Sequence, residues 1–236
     1  HLKPIFEGKE LSKWTNSKSV QQLIIFKSKW TKQEYGDDIS EQIALEKLSN
    51  DYPKLLSHIL PLTERAKKRY DQGDFFWELR NCAYYELFEK PKIVFPNLQN
   101  KNKFSFDETS SYINAPAVIL PTNDKFLTAI LNSKLVWYFL TNICVVRSGG
   151  YIEVKPQYFE QIPIPIINNS AELNKKTNSI IEFTSKIQKV EIKFTKYLQS
   201  NFSIEKLSKK LQNWHELGFG DFIKELNKAI KKVGGE

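Results

Sequence analysis

VILPTNDKFLTAILNSKLVWYFLTNICVVRSGGYIEVKPQYFEQIPIPII, residues Val118 to Ile167, decides how the rest of the chain is read. In order it predicts a buried strand, an amphipathic helix, a second strand, a Gly-Gly turn carrying Arg147, a short helix and a proline-braked exit. Leu127, Ile130, Leu131, Leu135, Tyr138 and Phe139 fall at helical spacing and predict one inward face. Asn123 and Asp124, after Pro121, are suitable N-terminal caps. Ile162-Pro-Ile-Pro-Ile cannot complete a helix or a ladder, because each proline lacks its N–H. The segment thus proposes a sheet with a helix on it and an arginine at the rim of a turn.

Upstream, Val20–Phe26 reads as a strand, and Trp30–Asp38 as a polar loop ending in a Tyr35-Gly-Asp-Asp turn. Ser40 caps a helical segment, and Pro53 opens another whose apolar face is Leu55, Leu56, Ile59, Leu60 and Leu62, with a kink at Pro61. Gly73 is expected to stop it. A strand runs from Pro91 to Pro96, Lys103–Phe106 alternates as its hairpin partner, and Tyr112–Leu120 forms a third strand. After Ile167 the composition changes. Ser170 is placed to cap a long helix in which Leu173, Ile180, Ile187 and Phe194 recur every seven residues, with Phe183, Val190 and Tyr197 three residues after them. A second helix carries Ile204, Leu207, Leu211 and Trp214, and a third starts at Phe219. The expected fold class is α+β: a small mixed sheet with packed helices over residues 1–165, then an α-helical spacer with a heptad-like long helix over 166–236. Packing of that helix on the two after it is preferred to a homodimer seam, and docking on another domain stays open.

Among 236 residues there is no methionine, so the chain is expected to be a piece of a longer protein whose catalytic parts lie elsewhere. It ends at Gly234-Gly235-Glu236 as a helix closes. No apolar run has the length of a bilayer span, and His1-Leu-Lys-Pro is no secretory signal, which points to a cytoplasmic protein without a membrane partner. Cys82 and Cys144 read as buried free thiols of a reducing compartment. The net charge is +8; residues 1–163 hold 22 Lys+Arg against 19 Asp+Glu, and residues 164–236 hold 13 against 8. A polyanion partner fits this balance, and so does a merely lysine-rich protein.

Catalytic constellations are scarce. His1, His58 and His215 lack metal spacing, the cysteines are no redox pair, and neither a P-loop nor a dinucleotide fingerprint occurs. Glu153-Val-Lys155 with Asp124 upstream has the outline of a Mg²⁺-dependent nuclease, against the plainer reading of an alternating strand facing water. The basic and amide residues around the proposed sheet are more telling: Arg80, Lys92, Asn97, Lys101, Asn102, Lys103, Arg147, Lys155 and Gln157, interleaved with Tyr112, Tyr151 and Tyr158. Arg and Asn read guanine and adenine edges bidentately, while Lys mostly holds phosphate. Each residue alone is more often a solvated rim residue. Arg147 stands out, because Gly149 and Gly150 let backbone approach a ligand and aim the neighbouring side chain.

Five stretches in order carry a family resemblance. They are YPKLLSHILPLTERAKKRYDQGDFFWELR (52–80), YYELFEKPKIVFP (84–96), ILNSKLVWY (130–138), RSGGYIEVKPQYFEQIPIP (147–165) and LSKKLQNWHELGFGDFIKEL (207–226). Together they resemble the TaqI-like C-terminal specificity domain of type IIG restriction–modification enzymes and related adenine-specific DNA methyltransferases. The resemblance implies a module that binds double-stranded DNA without catalysis of its own. It also implies a methyltransferase domain with an Asn-Pro-Pro-Tyr motif upstream, using S-adenosylmethionine, and often a nuclease using Mg²⁺. The methyltransferase would flip the target adenine opposite the recognition domain. Reading residues vary with target in such families, so the resemblance assigns none here. A fragment of a type I specificity subunit and a helix-mediated protein-interaction module remain as alternatives.

Overall fold

The computed structural model describes residues 1–16, 21–166 and 170–234; Val20, Ile167, Gly235 and Glu236, named above, lie outside these. Nine strands run through the described residues: β1 (Leu2–Phe6), β2 (Gln22–Ile24), β3 (Lys92–Pro96), β4 (Leu98–Gln99), β5 (Ser105–Asp107), β6 (Tyr112–Ile113), β7 (Ala117–Pro121), β8 (Val145–Arg147) and β9 (Tyr151–Glu153). The helices are α1 (Trp30–Tyr35), α2 (Glu41–Asp51), α3 (Pro53–Ile59), α4 (Thr63–Lys67), α5 (Tyr85–Glu89), α6 (Lys125–Leu131), α7 (Lys134–Ile143), α8 (Pro156–Phe159), α9 (Ala171–Asn201), α10 (Lys209–Gln212) and α11 (Phe219–Lys232). The chain is a mixed α/β fold with small sheets, followed by the long helix α9. The strands form three three-stranded sheets in the orders β2-β1-β6, β5-β3-β7 and β4-β9-β8, not one.

β3 is the axis. All five of its residues are buried, as a strand covered on both faces requires. Ile93 and Phe95 point into the main core with Phe104, Phe106, Leu131, Val136, Leu140, Ile152, Val154 and Ile162. Val94 points the other way, onto Phe6 and Leu11. The expected pairing of β3 with the chain after Lys103 is found, with Lys92 opposite Asp107 and Ile93 opposite Phe106. The third expected strand is divided: β6 joins β1 in the first sheet and β7 joins β3 in the second, the chain turning between them at Ala115-Pro116.

Several readings need correction. The region 30–38 is not all loop, because α1 occupies Trp30–Tyr35. Its first turn is capped from far along the chain by the buried carboxylate of Glu78. Glu78 Oε1 accepts from the Thr31 N–H at 2.8 Å, and Oε2 accepts from Lys29 at 3.1 Å and Asp74 at 2.9 Å. The single amphipathic helix of the opening stretch is two helices. Between them Asn132 exchanges hydrogen bonds with the backbone of Phe104, Asn102 donates to the carbonyls of Leu131 (2.8 Å) and Ser133 (3.1 Å), and Ser133 caps α7. The break resets the helical phase, so Val136 and Leu140 are buried while Leu135 and Tyr138 are exposed. Asp124 holds the cap position of α6 without capping through its side chain.

Ser40 caps α2 and Pro53 opens α3 as expected. The chain then tightens into a 3-10 turn at Leu60–Leu62, where Pro61 sits, and resumes as α4; Leu60 and Leu62 end up exposed rather than inward. In the C-terminal helices only the end of α9 packs as proposed. Leu198, Ile204, Leu207, Leu211 and Leu226 form a separate small core, joined by Phe194 and Phe222. Ile204 and Leu207 reach it from a loop, since α10 starts only at Lys209. Nearer its start α9 lies on α6, with Asn174 Oδ1 accepting the Phe126 N–H at 3.1 Å. Between these anchors Phe183, Ile187 and Val190 are more than half exposed. Ser170 does not cap the helix through its side chain.

Candidate nucleic-acid interface

The sheet β4-β9-β8 gathers most of the predicted site. β8 and β9 are joined through Ser148-Gly149-Gly150 with Arg147 opposite Tyr151. Gly149 (φ 73°) and Gly150 (φ 75°) both lie in left-handed backbone, which a side chain would strain, so the sequence makes a tight turn where only glycine is at ease. Period-two alternation puts Arg147, Tyr151 and Glu153 on one face of the hairpin and Ile152 on the other, buried in the main core. The outward face therefore owes its position to the apolar anchor behind it.

Glu153 is the hub of that face. Arg147 donates to its Oε2 through Nε at 3.1 Å and through Nη2; Lys155 Nζ lies 3.3 Å from Oε1, and Asn97 Nδ2 donates to Oε1 at 3.4 Å. The Arg147 hydrogen bonds hold the Glu153 carboxyl below its ordinary range despite partial desolvation, with Lys155 adding to the effect. Asn97 reaches it because its carbonyl accepts the Val154 N–H at 2.7 Å, continuing the β4–β9 pairing. Both Glu153 oxygens are thus engaged by Arg147, Lys155 and Asn97, and among the described residues no group of three or more His, Cys, Asp or Glu is placed to hold a metal ion.

A second cationic group lies in the loop that leaves this sheet. β4 is antiparallel to β9, so the chain leaves Gln99 in the direction of the Gly149–Gly150 end of the hairpin, and Lys101 and Lys103 follow in the loop. Gln99, fully buried, sets that loop by accepting the Lys103 N–H at 2.9 Å. Lys13 joins them, because Trp14 bridges to Ser105 and donates its N–H to the Phe104 carbonyl at 2.9 Å. Partial burial pushes the Lys13 and Lys103 ammonium groups down, and the charge of Lys101 lowers both further. None of the ion pairs among the described residues includes these three lysines. Mutually repelling cations without a protein counter-charge are a place for an anion. Lys13 was not legible as part of the site, since only the Trp14–Ser105 bridge brings it there.

Other predicted residues lie apart or serve the fold. Lys92 is completely buried: its ammonium lies 2.7 Å from Asp107 Oδ2 and donates to the Phe88 carbonyl at 2.8 Å. It cannot touch a ligand. Asn102 is spent on the α6–α7 junction, and Tyr112 is buried, stacked on Phe88 and donating to Glu89 at 3.0 Å. Tyr158 packs against the main core. Arg80 is exposed, beyond the Gln72–Leu79 bridge in a segment outside this sheet. Gln157 is exposed on α8, past the end of β9 that faces away from the turn. Cys144 is buried and Cys82 half-buried, both as free thiols.

Residues 3–164 match the family described as the TaqI-like C-terminal specificity domain, and residues 166–235 match a domain of unknown function (DUF8810). No curated protein matches the chain. Among the described residues no helix is long and apolar enough to cross a membrane.

Proposed function

The chain belongs to the TaqI-like C-terminal specificity domain family, and from that premise we propose that it reads a sequence in double-stranded DNA. The readers are the outward face of the β8–β9 hairpin, and the holders of phosphate are Lys13, Lys101 and Lys103. One observation carries this reading: an arginine oriented on the β8–β9 hairpin is accompanied by three lysines without an acidic partner, gathered at the loop that leaves β4 of the same sheet, base-edge chemistry beside phosphate chemistry. The parent enzyme on this reading is a type IIG restriction–modification protein or adenine-specific methyltransferase. Its S-adenosylmethionine, and Mg²⁺ for any nuclease, would be bound by upstream domains, and this chain would supply the opposite wall of the DNA cleft. The reading places the protein with DNA in the cytoplasm and assigns this chain no catalytic step.

Selection from a pool of random duplexes at two salt concentrations tests it. Enrichment of one motif, with affinity falling steeply as salt rises, supports a sequence reader. Retention without enrichment leaves a basic surface only. The open face of α9 at Phe183, Ile187 and Val190 favours a second reading, a helix-mediated interaction module. On that reading Lys101→Glu with Lys103→Glu leaves partner binding intact, whereas a DNA reader loses its affinity.

A further inference from the structure

We infer that Glu153 is a specificity-determining residue of the hairpin face, acting by positioning Arg147 and by withholding charge from non-target DNA. The inference rests on the DNA-reading function proposed above. Its starting point is an oddity: a carboxylate stands at the centre of a cationic face, where it weakens phosphate attraction. A surface selected for affinity alone would omit it, as the Lys13–Lys101–Lys103 group does.

The geometry gives it a task. Glu153 takes the side edge of the guanidinium, through Nε and Nη2. Arginine has five N–H donors in a rigid plane, so the end-on fork, one hydrogen on each Nη, stays available. That fork is the one that pairs with O6 and N7 of guanine. A guanidinium held along one edge has lost the freedom to swing onto the nearest phosphate. The side chain of Arg147 is about half exposed, so the fork is within reach of a ligand.

The same carboxylate also fixes the Asn97 amide beside it. It accepts only, so it selects the amide orientation of Asn97 in which Nδ2 faces it. Asn97 Oδ1 is then a buried acceptor with no partner among the described residues. Charge supplies the rest of the argument: Arg147 and Lys155 share Glu153, which leaves the cluster with one net positive charge instead of two. Non-specific attraction is reduced while the directional donors remain.

The test compares the wild-type chain with Glu153→Gln and Glu153→Asp in the random-duplex selection. Affinities are then titrated against salt on the enriched duplex and on a scrambled one, with thermal melting to confirm folding. For Glu153→Gln we expect tighter binding to scrambled duplex and a log–log salt slope steeper by about one phosphate contact. The enriched-to-scrambled affinity ratio should fall about tenfold, as for one mis-set bidentate base contact. Glu153→Asp keeps the charge one methylene further back, so a wild-type slope with a reduced ratio is expected. A wild-type ratio in both variants overturns the inference and leaves DNA reading intact. Parallel loss on both duplexes at constant ratio also overturns it, because that is what a structural residue does. Failure of the wild-type chain to enrich any motif sinks the DNA-reading function and this inference with it.

Discussion

Lys92–Asp107 and Arg147–Glu153 are the same chemistry in two settings. In the first pair the side chains are 0% and 5% exposed, and the neighbours are strands and backbone carbonyls. In the second they are 52% and 13% exposed, at the edge of a hairpin. A buried cation has one permitted partner, because leaving either charge alone in the interior is costly. A rim cation can exchange its partner for a ligand at little expense, because water screens the intermediate. Both lysine and arginine are attractive DNA contacts in the sequence, and only the packing around them divides fold from function.

The largest effect should come from breaking the buried pair on one side. Lys92→Met leaves Asp107 charged among Ser111, Thr109 and β3, and is expected to cost about 3–5 kcal/mol of stability, read from urea unfolding. The double change Lys92→Met with Asp107→Leu should recover much of that loss, because no uncompensated charge remains. If the single and double variants are equally unstable, lost packing dominates and the charge argument fails.

Acid should reveal the same pair next. Burial alone would raise the Asp107 pKa, but hydrogen bonds from Lys92, Ser111 and Thr109 outweigh it and hold the carboxyl below its usual value. A carboxyl with a depressed folded-state pKa contributes stability that is present above its unfolded value, near 4. That contribution is lost as pH falls through the lower, folded value. Urea midpoints should therefore drop on acidification below about pH 4, and Asp107→Asn should remove that part of the dependence. Glu153 also has a depressed pKa, but its partners Arg147 and Lys155 are about half exposed and screened by water, so it should contribute a much smaller share of the decline.

At the rim, effects move from stability to binding. Lys101→Glu with Lys103→Glu should leave the melting temperature near wild type while lowering duplex affinity on every sequence. The salt slope should become shallower by about two contacts. Arg147→Ala should act differently, reducing discrimination about tenfold with a smaller change on scrambled duplex. Equal losses on all sequences after Arg147→Ala would place that arginine with the lysines, as a phosphate holder.

How much of this was legible depended on how local its cause is. Pro53, Ser40 and the Gly149–Gly150 turn act within a few residues, and each did what its chemistry requires. β3 was legible because a run of apolar residues between prolines needs no distant partner to be recognised. Helix α1 was not, since its cap is Glu78, 47 residues beyond Thr31. The break between α6 and α7 was hidden for the same reason: Asn102 and the Phe104 backbone hold it from another strand. Lys92 was misassigned because burial follows from its register opposite Asp107, and Lys13 was missed because a bridge to Ser105 carries it. The face of Glu153, by contrast, was half visible, since Arg147, Tyr151 and Glu153 share strand parity around a turn.

The smallest effect calibrates the others. Glu172 and Lys176 lie one turn apart on α9, 2.8 Å between charged atoms, with side chains 80% and 70% exposed. Their separation is close to that of Lys92 and Asp107, yet water competes for both groups throughout. Replacing either with alanine should leave the melting temperature unchanged within error, and raising the salt should not separate variant from wild type. A clear destabilisation there would mean that pairing distance alone sets the energy of these ion pairs. The contrast between the buried pair and the hairpin pair would then have to be explained by something other than burial.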